Sequence, residues 1–189
     1  MTLRKSSRSD TGGTPVDGVL GLDVLTRHKA VINCRTKLIF FKVDQTRQVD
    51  LSSVALEEKF TRIPLQREQN GALTVPCSIR GQPARLFVDT GAFLTIFHEA
   101  FLKSVGVSVE ATRISAYFAA GASRKISAGQ INDLRIGGFR TPPAKFGVAA
   151  LPNFTLRQGS ARVSGILGMD TLYNWHGIID LDNMNLFLK

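Results

Sequence analysis

The sequence predicts a small, mostly-β fold, a barrel or sandwich of short strands with one or two short helices. Three observations carry this. Short apolar runs recur, separated by turn residues about every 8–12 positions. One run, 72–80, alternates strictly, with Leu73, Val75, Cys77 and Ile79 on one face and Thr74, Pro76, Ser78 and Arg80 on the other. A period of two is that of a half-buried strand. Only two stretches, 98–105 and 170–175, read as helix.

The elements follow in order. Pro76 cannot donate to a ladder, so the first strand lies at an edge or is paired on one side locally. Arg80-Gly81-Gln82-Pro83 is turn chemistry, and Arg85-Leu86-Phe87-Val88 returns as the second strand of a hairpin. Beyond Asp89-Thr90-Gly91 the apolar run 93–97 resumes. His98, a surface or packing residue, opens a short helix to Val105 that Gly106 closes. Residues 113–131 give two strands around a small tip, Ala119-Ala120-Gly121-Ala122-Ser123. The run 131–136 stops at the turn Gly137-Gly138, and 145–151 adds a strand. Asp170 reads as the cap of a helix reaching Trp175. Residues 177–189 form a hairpin turning near Asp182-Asn183.

Composition bounds the function. The 189 residues carry 24 Lys+Arg and 15 Asp+Glu, a net charge of +9. That length suits one domain, or one domain plus a fragment, with a core that needs no disulfide or metal. With 43% hydrophobic and 21% charged residues, most of the chain is not disordered. No apolar run is long enough for a transmembrane helix. The first 13 residues are polar and basic, without the apolar region of a secretory signal, so a cytoplasmic protein with no membrane partner is expected. The positive charge is spread out and not interleaved with aromatic residues, so no nucleic-acid partner is expected. Cys34 and Cys77 make no disulfide framework or zinc site and read as small core hydrophobes. His28, His98 and His176 lack metal-ligand spacing. Neither a metal nor any other cofactor is expected.

An internal repeat organises the chain. Residues 18–42, GVLGLDVLTRHKAVINCRTKLIFFK, align without gaps to residues 165–189, GILGMDTLYNWHGIIDLDNMNLFLK, with eight of 25 positions identical. The second copy ends the chain and the first lies near its start. The expected organisation is therefore a remnant of a second unit over 1–43, a linker over 44–59 and an intact unit over 60–189. Asp23 and Asp170, which follow the glycine motif of each copy, read as helix caps.

Chemistry concentrates at 86–92. Leu86-Phe87-Val88-Asp89-Thr90-Gly91-Ala92 places a carboxylate at the end of an apolar strand, where an unpartnered charge is costly. A turn at Gly91 presents Asp89 outward on a fixed backbone, and Thr95 is placed to satisfy backbone groups behind it. A strand ending in D-T-G-A, a Gly-tipped hairpin about 30 residues on and the late GILGMDTL resemble a retropepsin-type aspartic protease. The resemblance covers nearly all of 60–189, and 18–42 resembles the C-terminal segment of a second such unit. Asp10-Thr11-Gly12 is also D-T-G, but no strand precedes it and five residues separate it from Gly18, too few for a flap hairpin.

The resemblance implies a closed β-barrel with a flap hairpin and assigns roles by position. Asp89 is the catalytic carboxylate, Gly91 permits the turn, and Thr90 locks two active-site loops across a two-fold axis. Ala92 sits beside the carboxylate where many relatives carry a hydroxyl, which implies a less acidic working pH. Ala119, Ala120, Gly121 and Ala122 form the flap over substrate, and Ile166, Leu167 and Gly168 pack against the active-site loop. Phe93 departs from the small or acidic residue common at its position. Such chemistry needs two carboxylates sharing a proton, and one D-T-G is well placed here. The implied enzyme is a homodimer with Asp89 from each chain, acting on a peptide or protein substrate, with the strand near 186–188 in the dimer sheet. A catalytically silent peptide- or partner-binding module is the alternative.

Overall fold

A computed structural model of the chain describes residues 18–44, 46–117, 123–151 and 163–189. Helix α1 (Leu22–Arg27) leads into strands β1 (Val31–Asn33) and β2 (Leu38–Phe40). The stretch expected as a linker contains helix α2 (Ser52–Glu57), entered where the Asp50 carboxylate accepts the Ser52 amide at 2.8 Å. Then follow β3 (Thr61–Pro64), β4 (Gln66–Arg67), β5 (Leu73–Ile79), β6 (Gln82–Val88), β7 (Ile96–His98), α3 (Glu99–Ser104), β8 (Val109–Tyr117) and β9 (Ser123–Ile131). The chain closes with β10 (Arg135–Ile136), β11 (Phe139–Arg140), β12 (Ala144–Ala149), β13 (Val163–Leu167), α4 (Met169–Asn174), β14 (Ile178–Asp180) and β15 (Asn185–Leu188).

The mostly-β expectation holds, and three details refine it. Strand β5 is not at an edge, since β6 pairs along one side while β4 and β10 share the other, but at Pro76 it is paired on one side locally, the second of the two expected arrangements. Pro76 falls between Thr74, which pairs with β4, and Cys77, which pairs with β10, so its missing N–H interrupts no ladder. The β5–β6 turn is tighter than expected. Arg80 and Gly81 both take positive φ (51° and 74°), the two-residue turn that matches strand twist. Strand β6 therefore starts at Gln82, and Pro83 is tolerated inside it because pairing with β13 begins only at Arg85. His98 caps α3, its Nδ1 accepting from the Ala100 amide at 3.2 Å.

Among the described residues the strands form two sheets. The longer has the order β11-β10-β5-β6-β13-β7-β12-β9-β8, with β4 beside β5. Strands β6 and β7 are sequence neighbours, yet β13 lies between them, parallel to β6 and antiparallel to β7. This insertion brings 165–168 against the loop 89–95. It demands a glycine at 165, where a Cβ would sit 2.5 Å from the Ile96 carbonyl oxygen. The shorter sheet has the order β2-β1-β14-β15-β3. The last strand is thus interior to that sheet, and β14 carries the boundary with the N-terminal copy.

A main core runs behind both sheets, and a smaller cluster gathers Ile96, Ile126, Ala149 and Leu151. Phe97, Leu86, Leu102, Ile131, Leu134, Ile136, Leu167 and Leu172 are fully covered. Phe97 meets Phe146 edge-on with ring centroids 5.5 Å apart, a favoured aromatic geometry. Cys34 and Cys77 are buried free thiols, pushed up to about 11 and about 12 by desolvation. Among the described residues no helix is long and apolar enough to cross a membrane.

Candidate active site

The loop that follows β6 is held at both ends. The Asp89 amide donates to the Leu167 carbonyl at 3.1 Å, which extends the β6–β13 pairing to the carboxylate-bearing residue. One Asp89 oxygen, Oδ1, accepts the Gly91 amide at 2.8 Å, and the Ala92 amide donates to the Asp89 carbonyl at 3.2 Å. Such an Asx turn fixes the side-chain direction by local bonding. Asp89, Thr90 and Gly91 are exposed, Ala92 is half-buried, and Phe93 is exposed.

The far end of the loop is sewn to α4. The Met169 amide donates to the Ala92 carbonyl at 2.8 Å and the Asp170 amide to the Phe93 carbonyl at 3.1 Å. The donors of the first helical turn, which lack partners within their own helix, are satisfied by loop carbonyls. Gly168 permits the approach, since a Cβ there would lie 2.5 Å from the Leu94 carbonyl carbon.

Behind the loop stands Thr95, fully buried. Its amide and hydroxyl both donate to Asp170 Oδ1 at 2.8 Å, its oxygen accepts the Gly168 amide at 2.9 Å, and the Thr171 hydroxyl lies 2.7 Å away. Thr95 does serve the backbone behind the turn. Asp170 is not the expected cap: the N-cap is Gly168, and the carboxylate instead grips the loop across the sheet. Asp23, its counterpart in the first repeat, also lies inside its helix, where Gly21 is the N-cap, and is exposed. The usable signal was a single hydroxyl residue inside the apolar run 93–97, which single-sequence reading cannot pair with a residue 75 positions away.

Asp89, Thr90 and Gly91 border a cleft of about 650 Å³. Its other walls include Leu73, Phe87 and Ile166 and, from the first repeat, Val19, Leu20 and Ile32. Asp89 is the single ionisable side chain among the lining residues. Ile166 reaches this cleft, whereas Leu167 and Gly168 act by backbone contact with the loop. Ala119, Ala120, Gly121 and Ala122, and also Asp10, lie outside the described residues. Among the described residues no group of three or more His, Cys, Asp or Glu side chains comes together to hold a metal ion.

Comparison with known proteins gives one consistent answer. A family profile described as aspartyl protease matches residues 75–171. Over 109 residues the chain is 30% identical to DNA damage-inducible protein 1 of Yarrowia lipolytica. That match covers 58% of this chain and 25% of the relative, so the chain spans about a quarter of the relative's length. The crystal structure of a retropepsin-like aspartic protease from Rickettsia conorii aligns with a TM-score of 0.50 at 21% identity, covering 69% of this chain and 91% of that one. The retroviral protease-like domain of Ddi1 from Leishmania major aligns with a TM-score of 0.41 at 24% identity, covering 62% of this chain and 96% of that one.

Proposed function

Because the chain belongs to the retropepsin-like aspartyl protease family, we propose that it is an aspartic-type endopeptidase with Asp89 as its catalytic carboxylate. One observation carries the reading. Among the described residues the only ionisable side chain lining the cleft is a carboxylate at the end of a strand, aimed by its own Asx turn and backed by a hydrogen-bonded loop.

The chemistry requires a second carboxylate close to the first, and the reading takes it from Asp89 of a second copy. Two carboxylates about 3 Å apart cannot both ionise, so one proton is shared between them. The ionised carboxylate takes a proton from water as the water oxygen attacks the scissile carbonyl carbon. The protonated one donates to the carbonyl oxygen, giving a tetrahedral diol. Collapse breaks the C–N bond, with proton transfer to the leaving amine. Positioned acid and base of this kind contribute roughly 10²–10⁴ in rate. In this reading Thr90, exposed at the loop tip, meets its counterpart across the two-fold axis. In the same reading the longer sheet is the wall of an acid-protease barrel, and residues 60–189 are the protease unit.

The test is cleavage of a mixed peptide library between acidic and neutral pH, across enzyme concentrations, with Asp89→Asn as control. Cleavage that rises faster than linearly with concentration and disappears in Asp89→Asn supports the reading. A folded protein that forms dimers and still cuts nothing overturns it, in favour of a silent peptide-binding module.

A further inference from the structure

The two repeats are not merely similar in sequence; they fold alike and face one another. Helix α1 and helix α4, β1 and β14, and β2 and β15 occupy matching positions of the two copies. Left-handed residues recur in step, Lys29 with His176 and Lys37 with Met184. So do the turn acceptors. Asn33 Oδ1 takes the amides of Arg35 and Thr36, and Asp180 Oδ1 takes those of Asp182 and Asn183.

The copies meet through β1 and β14, antiparallel, with Ile32 opposite Ile179, Val31 opposite Asp180 and Asn33 opposite Ile178. Ile32 and Ile179 are the same repeat position, so each copy meets the other's equivalent residues in reverse order. The flanking bonds are reciprocal: the Cys34 amide donates to the Gly177 carbonyl at 2.8 Å, and the Leu181 amide to the Ala30 carbonyl at 3.0 Å. Self-complementary pairing of this sort is what an isologous two-fold contact between identical units produces. The first copy, however, makes only the axis-crossing half of the contacts. Phe40 is 55% exposed where its counterpart Phe187 is 0% exposed: β3 pairs with β15, and among the described residues no strand pairs with the outer edge of β2.

We infer that the β14 edge is the seat through which two copies of the protease unit meet, and that residues 18–42 fill that seat within the same chain. The inference rests on the reading of Asp89 as one of two paired carboxylates. A second copy would enter with its own 165–189 about the same axis, only after 18–42 had left. Two features favour the internal occupant. It is tethered through residues 43–60, so its effective concentration is on the order of millimolar. It also carries basic side chains suited to this face. Lys29 and Lys42 pair with Asp182 at 3.0 and 2.5 Å, and Arg35 stacks over the Tyr173 ring at 4.4 Å. The matching residues of a second copy would be His176, Lys189 and Asp182, so the contact to Tyr173 would lose its cation.

The test uses the whole chain and reads mass by sedimentation from micromolar concentration upward. In one variant, Ile32→Cys with Ile179→Cys, a disulfide staples the segment in place. These positions form a hydrogen-bonded pair, with Cα atoms about 5.5 Å apart in such pairs, within disulfide reach. Two release variants, Ile32→Pro and the double change Lys29→Glu with Lys42→Glu, weaken the seat by removing an axial N–H or by opposing Asp182. Alkylation of Cys34, which the segment itself carries and which is buried while the segment is docked, reports release. Wild type and stapled chain are expected to remain monomers. Released chains are expected to dimerise with an apparent Kd lower by roughly 10²–10³. Released chains that are folded, reactive at Cys34 and still monomeric overturn the inference. So does a stapled chain that dimerises as readily as a released one, since a second copy would then pack on the exposed face of 18–42. Cys34 protected in both release variants overturns it too, because the pairing across the axis would not be what holds the segment. Cleavage is read separately: a released dimer that cuts no peptide keeps the seat and removes the protease reading.

Discussion

The Thr95 hydroxyl donates to Oδ1 of Asp170 at 2.8 Å, and this one oxygen also takes the amide of Thr95 itself. The pair joins the loop that carries Asp89 to the start of α4, with the Gly168 amide closing the group onto the Thr95 oxygen. All of it lies behind the exposed tip of the loop. Its role is to hold the direction in which Asp89 points, without touching anything in the cleft.

Replacing Thr95 by Val tests that role. The shapes are nearly equal, but the Gly168 amide and the Asp170 oxygen each lose a buried partner. The Gly168 amide is left unsatisfied, while Asp170 Oδ1 keeps the amides of Thr95 and Thr171, so a loss of about 1–3 kcal/mol is expected. Urea unfolding checks it, as a lower midpoint with an unchanged slope. Thr95→Ser, which restores the hydroxyl, should recover most of the loss. An unchanged midpoint in Thr95→Val would remove the group from the account of the loop.

Asp89→Asn separates chemistry from architecture. The amide oxygen can still accept the Gly91 amide, and the side chain is exposed. Stability should stay within about 0.5 kcal/mol of wild type, as for surface changes that spare local bonding. Peptide cleavage should vanish. Equal loss of stability and activity would instead make Asp89 a structural residue.

The two repeats supply a matched pair of glycines for a packing test. Gly165 lies where a Cβ would press on the Ile96 carbonyl oxygen at 2.5 Å and the Leu86 side chain at 2.9 Å, whereas Gly18 has nothing within 4 Å. Gly165→Ala should destabilise by about 1–3 kcal/mol or more, the usual cost of overpacking where backbone must shift. Gly18→Ala should change stability by less than about 0.5 kcal/mol. Thermal melts of both proteins decide the matter, and similar losses would mean that 18–21 is packed as tightly as 165–168.

Much of this was legible from residue pattern. Period-two alternation over 72–80 and the run before Asp89 located β5 and β6, because a strand with one buried face writes its period into the chain. The packing of 166–168 against the active-site loop comes from the family resemblance rather than from residue pattern. The Thr95–Asp170 contact was not legible, since its members are far apart in sequence and each alone fits a commoner local role. Nor was the place of 18–42. The repeat shows that the two segments are alike, but which edge the first one joins is set by register and tether, which no local pattern encodes. The tight turn at Arg80-Gly81 reads two residues too long, through Pro83, because Pro83 reads as a turn residue unless the partner strand is known to begin beyond it.

The junction between the repeats should be acid-sensitive. Asp182 is held below the usual carboxylate range, first by its hydrogen bond from Lys42, against an opposing effect of desolvation, and further by its hydrogen bond from Lys29 and the charges of both lysines. Once the segment has left, that carboxylate returns to an ordinary value near 4. A lowered value in the docked state means that the contribution is fully present above about pH 4. It is lost as pH falls through the depressed value, because the undocked form binds the proton first. Hydrogen-exchange protection of the Cys34 and Leu181 amides, which bond across the junction, should therefore be flat from neutral pH to about pH 5 and fall below about pH 4 after correction for intrinsic rates. Asp182→Asn should show the reduced protection already at neutral pH and little further change with acid. Added salt should act in the same direction on wild type, since the pair is partly open to solvent. Protection in wild type that is independent of pH down to global unfolding would show that the lysines hold nothing at this junction.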